Sequence, residues 1–263
     1  MSLESSFEHE VSAAELTEFR SVVRSPLGSG AEGASPLHAF VLAHRGFDLT
    51  FDKLAVTGDV SRVHVSQEIT VHRPLVAGER VTVTTGALGG KPEGAGVRIA
   101  LRGVIVAEDG TVVASLVTGA MLSGATGPEA FGELPRYPMH RGTGEAVTVT
   151  LTIPEDMVPR YAVVAHDENP IHLDPEAAAA AGFPGVIAHG MSVLAVVTEE
   201  LVDRFADGDA SALKGIGTRF SNPVRPGVPL EVTFQPGENG VVAFTVRTPE
   251  GIALKAGWAQ LAV

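Results

Sequence analysis

The chain repeats itself, and a repeat constrains architecture before any other feature does. VHRPLVAGERVTV over residues 71–83 and FSNPVRPGVPLEV over residues 220–232 share one frame, with Pro74 matching Pro223 and Gly78 matching Gly227, each pair 149 residues apart. Each copy reads as a strand, a Pro-bearing bend closed by Gly, and a second alternating strand. The segments after each copy are alike too: runs 97–107 and 111–121 flank the turn Glu108-Asp109-Gly110, and runs Val241–Thr248 and 252–261 flank Pro249-Glu250-Gly251. Both halves are therefore expected to end in an antiparallel meander.

Residues 123–144 carry Ser, Gly, Pro and Thr without periodicity and read as the connection. We expect a first domain over 1–127, a linker over 128–146 and a second domain over 147–263. The second opens with a strand over 147–153, and Pro154 signals a helix over 155–165. The longest helix expected, Gly190–Phe205, is apolar over its first two turns and so belongs inside a sheet. The first half offers only a short candidate over 37–42, which would leave room beside its sheet. The fold class is α+β, two antiparallel sheets each wrapping a central helix.

Composition narrows the chemistry. Hydrophobic residues make up 44% and charged residues 19% of 263, enough to bury a core in each half. There are no cysteines, which excludes disulfides, thiolate zinc sites and a cysteine nucleophile. A formal charge of −12 repels long polyanions, so nucleic acid is not an expected partner. No stretch has the length of a membrane span and the N-terminus has no signal-peptide pattern, so we expect a cytoplasmic protein with no membrane partner.

The stretch YAVVAHDENPIHLDPEAAAAAGFPGVIAHG places Asp167, Glu168, Asn169 and His172 within six positions around Pro170. Pro170 disfavours helix at Asn169, which puts Asp167 and His172 on an irregular loop, and Asp174-Pro175 then restarts a helix with Asp174 as its N-cap. A carboxylate beside an imidazole can take a proton from one place and supply one at another. The same residues could equally form an Asx-type turn with a loop His on a backbone carbonyl. Ala188-His189-Gly190 precedes the long helix, and a Gly at a helix start offers an unobstructed N–H at the positive end of the dipole, as an oxyanion requires. A plain helix-entry Gly is the competing reading.

The order Tyr161, Asp167, Asn169-Pro170, His172, Asp174-Pro175, Ala178 and His189-Gly190-Met191 resembles the signature of the MaoC-like, R-specific enoyl-CoA hydratases. In the first half, residues 63–81, with QEITVHRPL followed by Gly78, resemble the acyl-binding domain of the two-hotdog members. The resemblance implies a double hotdog that reversibly hydrates trans-2-enoyl thioesters of coenzyme A or acyl carrier protein to the (R)-3-hydroxyacyl form. It also implies that Asp167 and His172 activate one water, Asn169 braces the loop and the Gly190 amide holds the thioester carbonyl. Many relatives carry Ser/Thr-Gly before the Asp where this chain has Ala165-His166. We expect an outward, solvated His166.

His189 reads as a brace for the helix entry. No metal is expected, because no second ligand lies at a clear spacing from it, and no cofactor beyond the carrier that is part of the substrate. Lys214, Arg219 and Arg225 are candidate phosphate contacts through their place near the repeated bend, with surface solvation as the alternative role. The first half has no counterpart of D-x-N-P-x-H, so one site per chain is expected, with acyl accommodation beside the shorter first helix. Competing functions are thioester hydrolysis on the same fold and a non-catalytic acyl-binding subunit. A monomer and a homodimer are both compatible, since one chain already supplies two sheets.

Overall fold

The structure is a computed structural model that describes residues 3–28, 33–127 and 129–263. The chain opens with strand β1 (Glu4–Glu10) and helix α1 (Ala13–Arg24), neither of which the repeat announced. A local signal for α1 is present: the Ser12 hydroxyl accepts from the Glu15 amide and the Glu15 carboxylate from the Ser12 amide, a reciprocal cap on two otherwise unpaired N–H groups. Helix α2 (His38–Phe51) follows, then the meander β2 (Ser61–Val71), β3 (Arg80–Glu93), β4 (Gly96–Ala107) and β5 (Val112–Ser123).

The connection carries a two-residue strand, β6 (Phe131–Gly132), paired with β3, while Tyr137 further on donates its hydroxyl to the Ala256 carbonyl at 3.0 Å. The expected linker's first residue, Pro128, lies outside the described residues. The second half runs β7 (Val147–Thr152), α3 (Met157–Ala165), α4 (Pro175–Ala180), α5 (Gly190–Phe205), β8 (Leu213–Phe220), β9 (Pro229–Pro236), β10 (Val241–Thr248) and β11 (Gly251–Leu261). Helix α3 starts later than Pro154 suggested, because residues 154–156 form a turn closed by the Met157 amide on the Pro154 carbonyl.

The repeat is borne out as topology. The first half orders its strands β1-β3-β4-β5-β2, the second β7-β9-β10-β11-β8, and β2 pairs β8 antiparallel from Ser66 opposite Arg219 to Thr70 opposite Gly215. The two sheets thus join into one. Gly78 and Gly227 both close their bends in left-handed backbone, at φ 85° and 77°, which is why the position tolerates no ordinary side chain cheaply. Each half is a hotdog: α5 is buried along nearly its whole length within the second sheet, as its apolar first turns required.

Helix α2 corrects an expectation. It runs fourteen residues, close to the sixteen of α5, instead of stopping near Leu42. Gly46 does not end it. A Cβ there would lie 2.6 Å from Thr85 Cγ2, so the glycine is what lets α2 lie hard against β3, and the Thr85 hydroxyl donates to the Gly46 carbonyl at 2.7 Å. Phe40, Leu42 and Phe47 fill the space beneath the first sheet. That space holds protein, not slack.

Candidate active site

The site is assembled from the irregular stretch between α3 and α5. Helix α3 ends at His166, whose left-handed backbone (φ 52°) turns the chain so that the Asp167 amide returns to the Ala162 carbonyl at 3.0 Å. The His166 side chain is exposed, as expected. Asp167 then accepts from the Asn169 amide at 3.3 Å and Asn169 from the Ile171 amide at 3.4 Å, two successive Asx turns that hold the loop through Pro170. His172 follows in a single 3₁₀ turn, and Asp174 caps α4 by accepting from the Glu176 amide at 2.8 Å.

The chain returns to this loop just before α5. His172 donates Nδ1–H to the Ile187 carbonyl at 2.8 Å, which leaves Nε2 as the lone-pair nitrogen when the ring is neutral. Burial lowers the His172 pKa from its usual range, partly offset by that hydrogen bond and by the Asp167 charge. His189 donates Nε2–H to the Asp167 backbone carbonyl at 3.0 Å, so it ties the helix entry to the loop. Its pKa falls to about 4, chiefly through burial and then through the neighbouring His172. Both rings are neutral near pH 7.

Asp167, His172 and His189 bring ligand atoms within 4.8 Å of one another. Sequence spacing offered His189 no second ligand, whereas the fold supplies two, which corrects that expectation. The trio could hold an ion by its composition. The two imidazoles, however, lie partly face to face, with centroids 3.7 Å apart and planes 31° apart, whereas rings that share an ion aim in-plane lone pairs at one point. The ring orientation therefore suits proton transfer better than ligation, and the carbonyl bond on each ring fixes which nitrogen keeps its lone pair.

Gly190 begins α5, so no intrahelical carbonyl reaches its amide. A Cβ at this position would come within 2.9 Å of Phe220 Cδ1 and Cε1. The glycine is thus a steric requirement as well as an N–H donor. Asp167 and Gly190 are half-buried while His172 is buried, an arrangement open to solvent on one side.

The phosphate candidates do not gather here. Lys214 sits at the opposite end of β8 from Phe220, roughly 20 Å of strand away at about 3.3 Å per residue, and donates to the Ser211 carbonyl at 2.8 Å. Arg225 pairs with Glu250. Arg219 precedes Phe220 on β8 and so faces away from Gly190.

Sequence reasoning missed a contribution from the first half. His64, on β2, packs its ring 4.5 Å from Phe220 and 5.5 Å from Phe40 of α2. Burial and the nearby His44 hold its pKa down to about 4, and the Asp167 charge reaches it. A lone His between Val63 and Val65 in a strand was the available signal. Tyr161, fully buried, lies with its ring 5.0 Å from His189 and backs the site from α3.

Known proteins share this sequence pattern and this fold. The profile of the MaoC like domain family matches residues 138–251. The 3-hydroxyacyl-thioester dehydratase Y of Mycobacterium tuberculosis is 32% identical over 197 residues, covering 73% of this chain and 68% of that protein. The peroxisomal enoyl-CoA hydratase 2 of Arabidopsis thaliana is 28% identical over 244 residues, covering 80% and 79%. A crystal structure of a MaoC-like dehydratase from Phytophthora capsici superposes with a TM-score of 0.83 at 22% identity, over 99% of this chain and 96% of that one. The chain belongs to the MaoC-like dehydratase family.

Proposed function

We propose that this chain is a hydro-lyase that interconverts trans-2-enoyl and (R)-3-hydroxyacyl thioesters. The observation that carries the reading is the meeting of Asp167 and a neutral His172 with His189, the residue that leads into the first amide of α5 at Gly190. Kinship with proteins named hydratase and 3-hydroxyacyl-thioester dehydratase supports the same reaction.

The thioester carbonyl accepts from the Gly190 amide, where the positive end of α5 favours charge building on that oxygen. A water held between the Asp167 carboxylate and His172 Nε2 attacks C3. The pair takes one proton from it as the C–O bond forms and returns one proton to C2 of the enolate, so H and OH are added with no net exchange of protons. Dehydration runs the same steps backwards. Residues 147–263 carry the chemistry and residues 1–127 contact the acyl group. No cofactor is needed, because the conjugated enoyl thioester is already polarised towards attack at C3. The carrier is coenzyme A or acyl carrier protein.

The test is to mix purified protein with crotonyl-CoA, follow the enoyl absorbance and resolve the product on a chiral column. We expect loss of absorbance, (R)-3-hydroxybutyryl-CoA and no free thiol. Release of free thiol would make the protein a thioesterase, and no change on any chain length would make it a binding subunit.

A further inference from the structure

We propose that Phe40, His64 and Phe220 form a wall across the acyl end of the site and confine this enzyme to short 2-enoyl groups; the inference rests on the hydration reading and specifies its substrate class.

Phe220 lies directly against Gly190, the residue whose amide fixes the carbonyl. From Phe220 the rings run inward without a break: His64 at 4.5 Å, Phe40 stacked on His64 at 5.5 Å with planes 16° apart, and Phe47 at 6.3 Å from Phe40. Phe40 and Phe47 are buried under the first sheet. A carbonyl pinned at Gly190 must send one arm of the substrate along this path and the other to solvent. The pantetheine arm is polar, ends in phosphate and loses heavily on entering an aromatic interior. The hydrocarbon tail therefore meets the rings.

The tail finds little room there. Helix α2 is tied to the sheet where Gly46 lets it lie closest: the buried Thr85 hydroxyl donates to the Gly46 carbonyl at 2.7 Å and lies 2.9 Å from the Thr50 hydroxyl, bonds that moving the helix away would break. His64 is also held: its Nε2–H donates to the Ser66 carbonyl at 3.2 Å across an irregularity in β2 where pairing with β5 slips between His64 and Ser66. A close-packed interior admits extra methylenes only by displacing such groups. A crotonyl group ends before the wall, while a longer tail has to move it.

The test compares kcat/KM for trans-2-octenoyl-CoA and crotonyl-CoA in the full chain. Wild type should favour crotonyl-CoA on the order of tenfold or more, as steric rejection of methylenes does. His64→Ala should raise the octenoyl-to-crotonyl ratio about tenfold, and Phe40→Leu should shift it in the same direction. His64→Phe, which keeps the ring without the imidazole, should leave the ratio within about threefold of wild type, well short of a one-methylene effect. Equal wild-type rates on the two substrates, a proportional loss on both in His64→Ala, or a His64→Phe ratio like that of His64→Ala would each overturn the wall. If wild type hydrates neither substrate, the hydratase reading fails and the wall with it.

Discussion

At the scale of single residues, function and stability turn on protonation and on two backbone positions. His172 has its folded pKa lowered by burial, so it stays neutral and able to accept a proton below the usual His value of about 6.5. The acid limb of kcat/KM, which reports groups of the free enzyme, should therefore lie below that value, and a limb above it would show that the ring is not a buried base. Gly190 admits no side chain without moving Phe220, so Gly190→Ala should lower kcat about tenfold through crowding of about 1–3 kcal/mol, with folding retained by circular dichroism. His166 occupies left-handed backbone that a β-carbon disfavours by about 1–2 kcal/mol. His166→Gly should relieve that and, after the entropy cost of glycine, raise stability by up to about 1 kcal/mol in urea melts.

At the scale of elements, the sequence announced those whose pattern is local and regular. Helix α5 and strand β10 have the bounds expected, since an unbroken apolar helix start and a clean two-residue alternation compete with nothing else. Pro170 and the helix-entry glycine are local signals that singled out Asp167, His172 and Gly190, while their roles came from the family resemblance, since an Asx-type turn and a plain helix entry show the same residues. The length of α2 was not, because whether Gly46 stops a helix or seats it depends on Thr85, which arrives from β3. His64 was missed for the same reason: its neighbours come from α2 and from the other half. So was the tie between α1 and α5, where Glu199 of α5 accepts from Arg20 at 3.0 Å and Arg24 at 2.9 Å, all three buried, and Arg24 also pairs with Asp203 at 2.8 Å. Nothing in the sequence matches cations of the first half to a carboxylate 175 or 179 positions away. Glu199→Leu removes the buried carboxylate that Arg20 and Arg24 share and should cost about 3–5 kcal/mol, read as a fall in the thermal midpoint. A change under about 1 kcal/mol would show the pairing to be no better than a surface contact.

At the scale of the molecule, the two hotdogs share one strand order, and Asp167, His172 and Gly190 all lie in the second. Beside the β2–β8 pairing, His64 of the first half, with Phe40 stacked on it, packs against Phe220 of the second, which in turn lies against Gly190, so the half without the motif reaches the edge of the site. Among the described residues, no helix is long and apolar enough to cross a membrane. The central claim is that Asp167 and His172 act as one proton-transferring unit. Its most direct test is kcat/KM for hydration of crotonyl-CoA by wild type, Asp167→Asn, His172→Ala and the double variant. Each single substitution should cost on the order of a hundredfold or more, and the double should cost little beyond the worse single, as for residues that share one step. Folded single variants within about threefold of wild type, or a double variant whose loss is the product of the two, would contradict it.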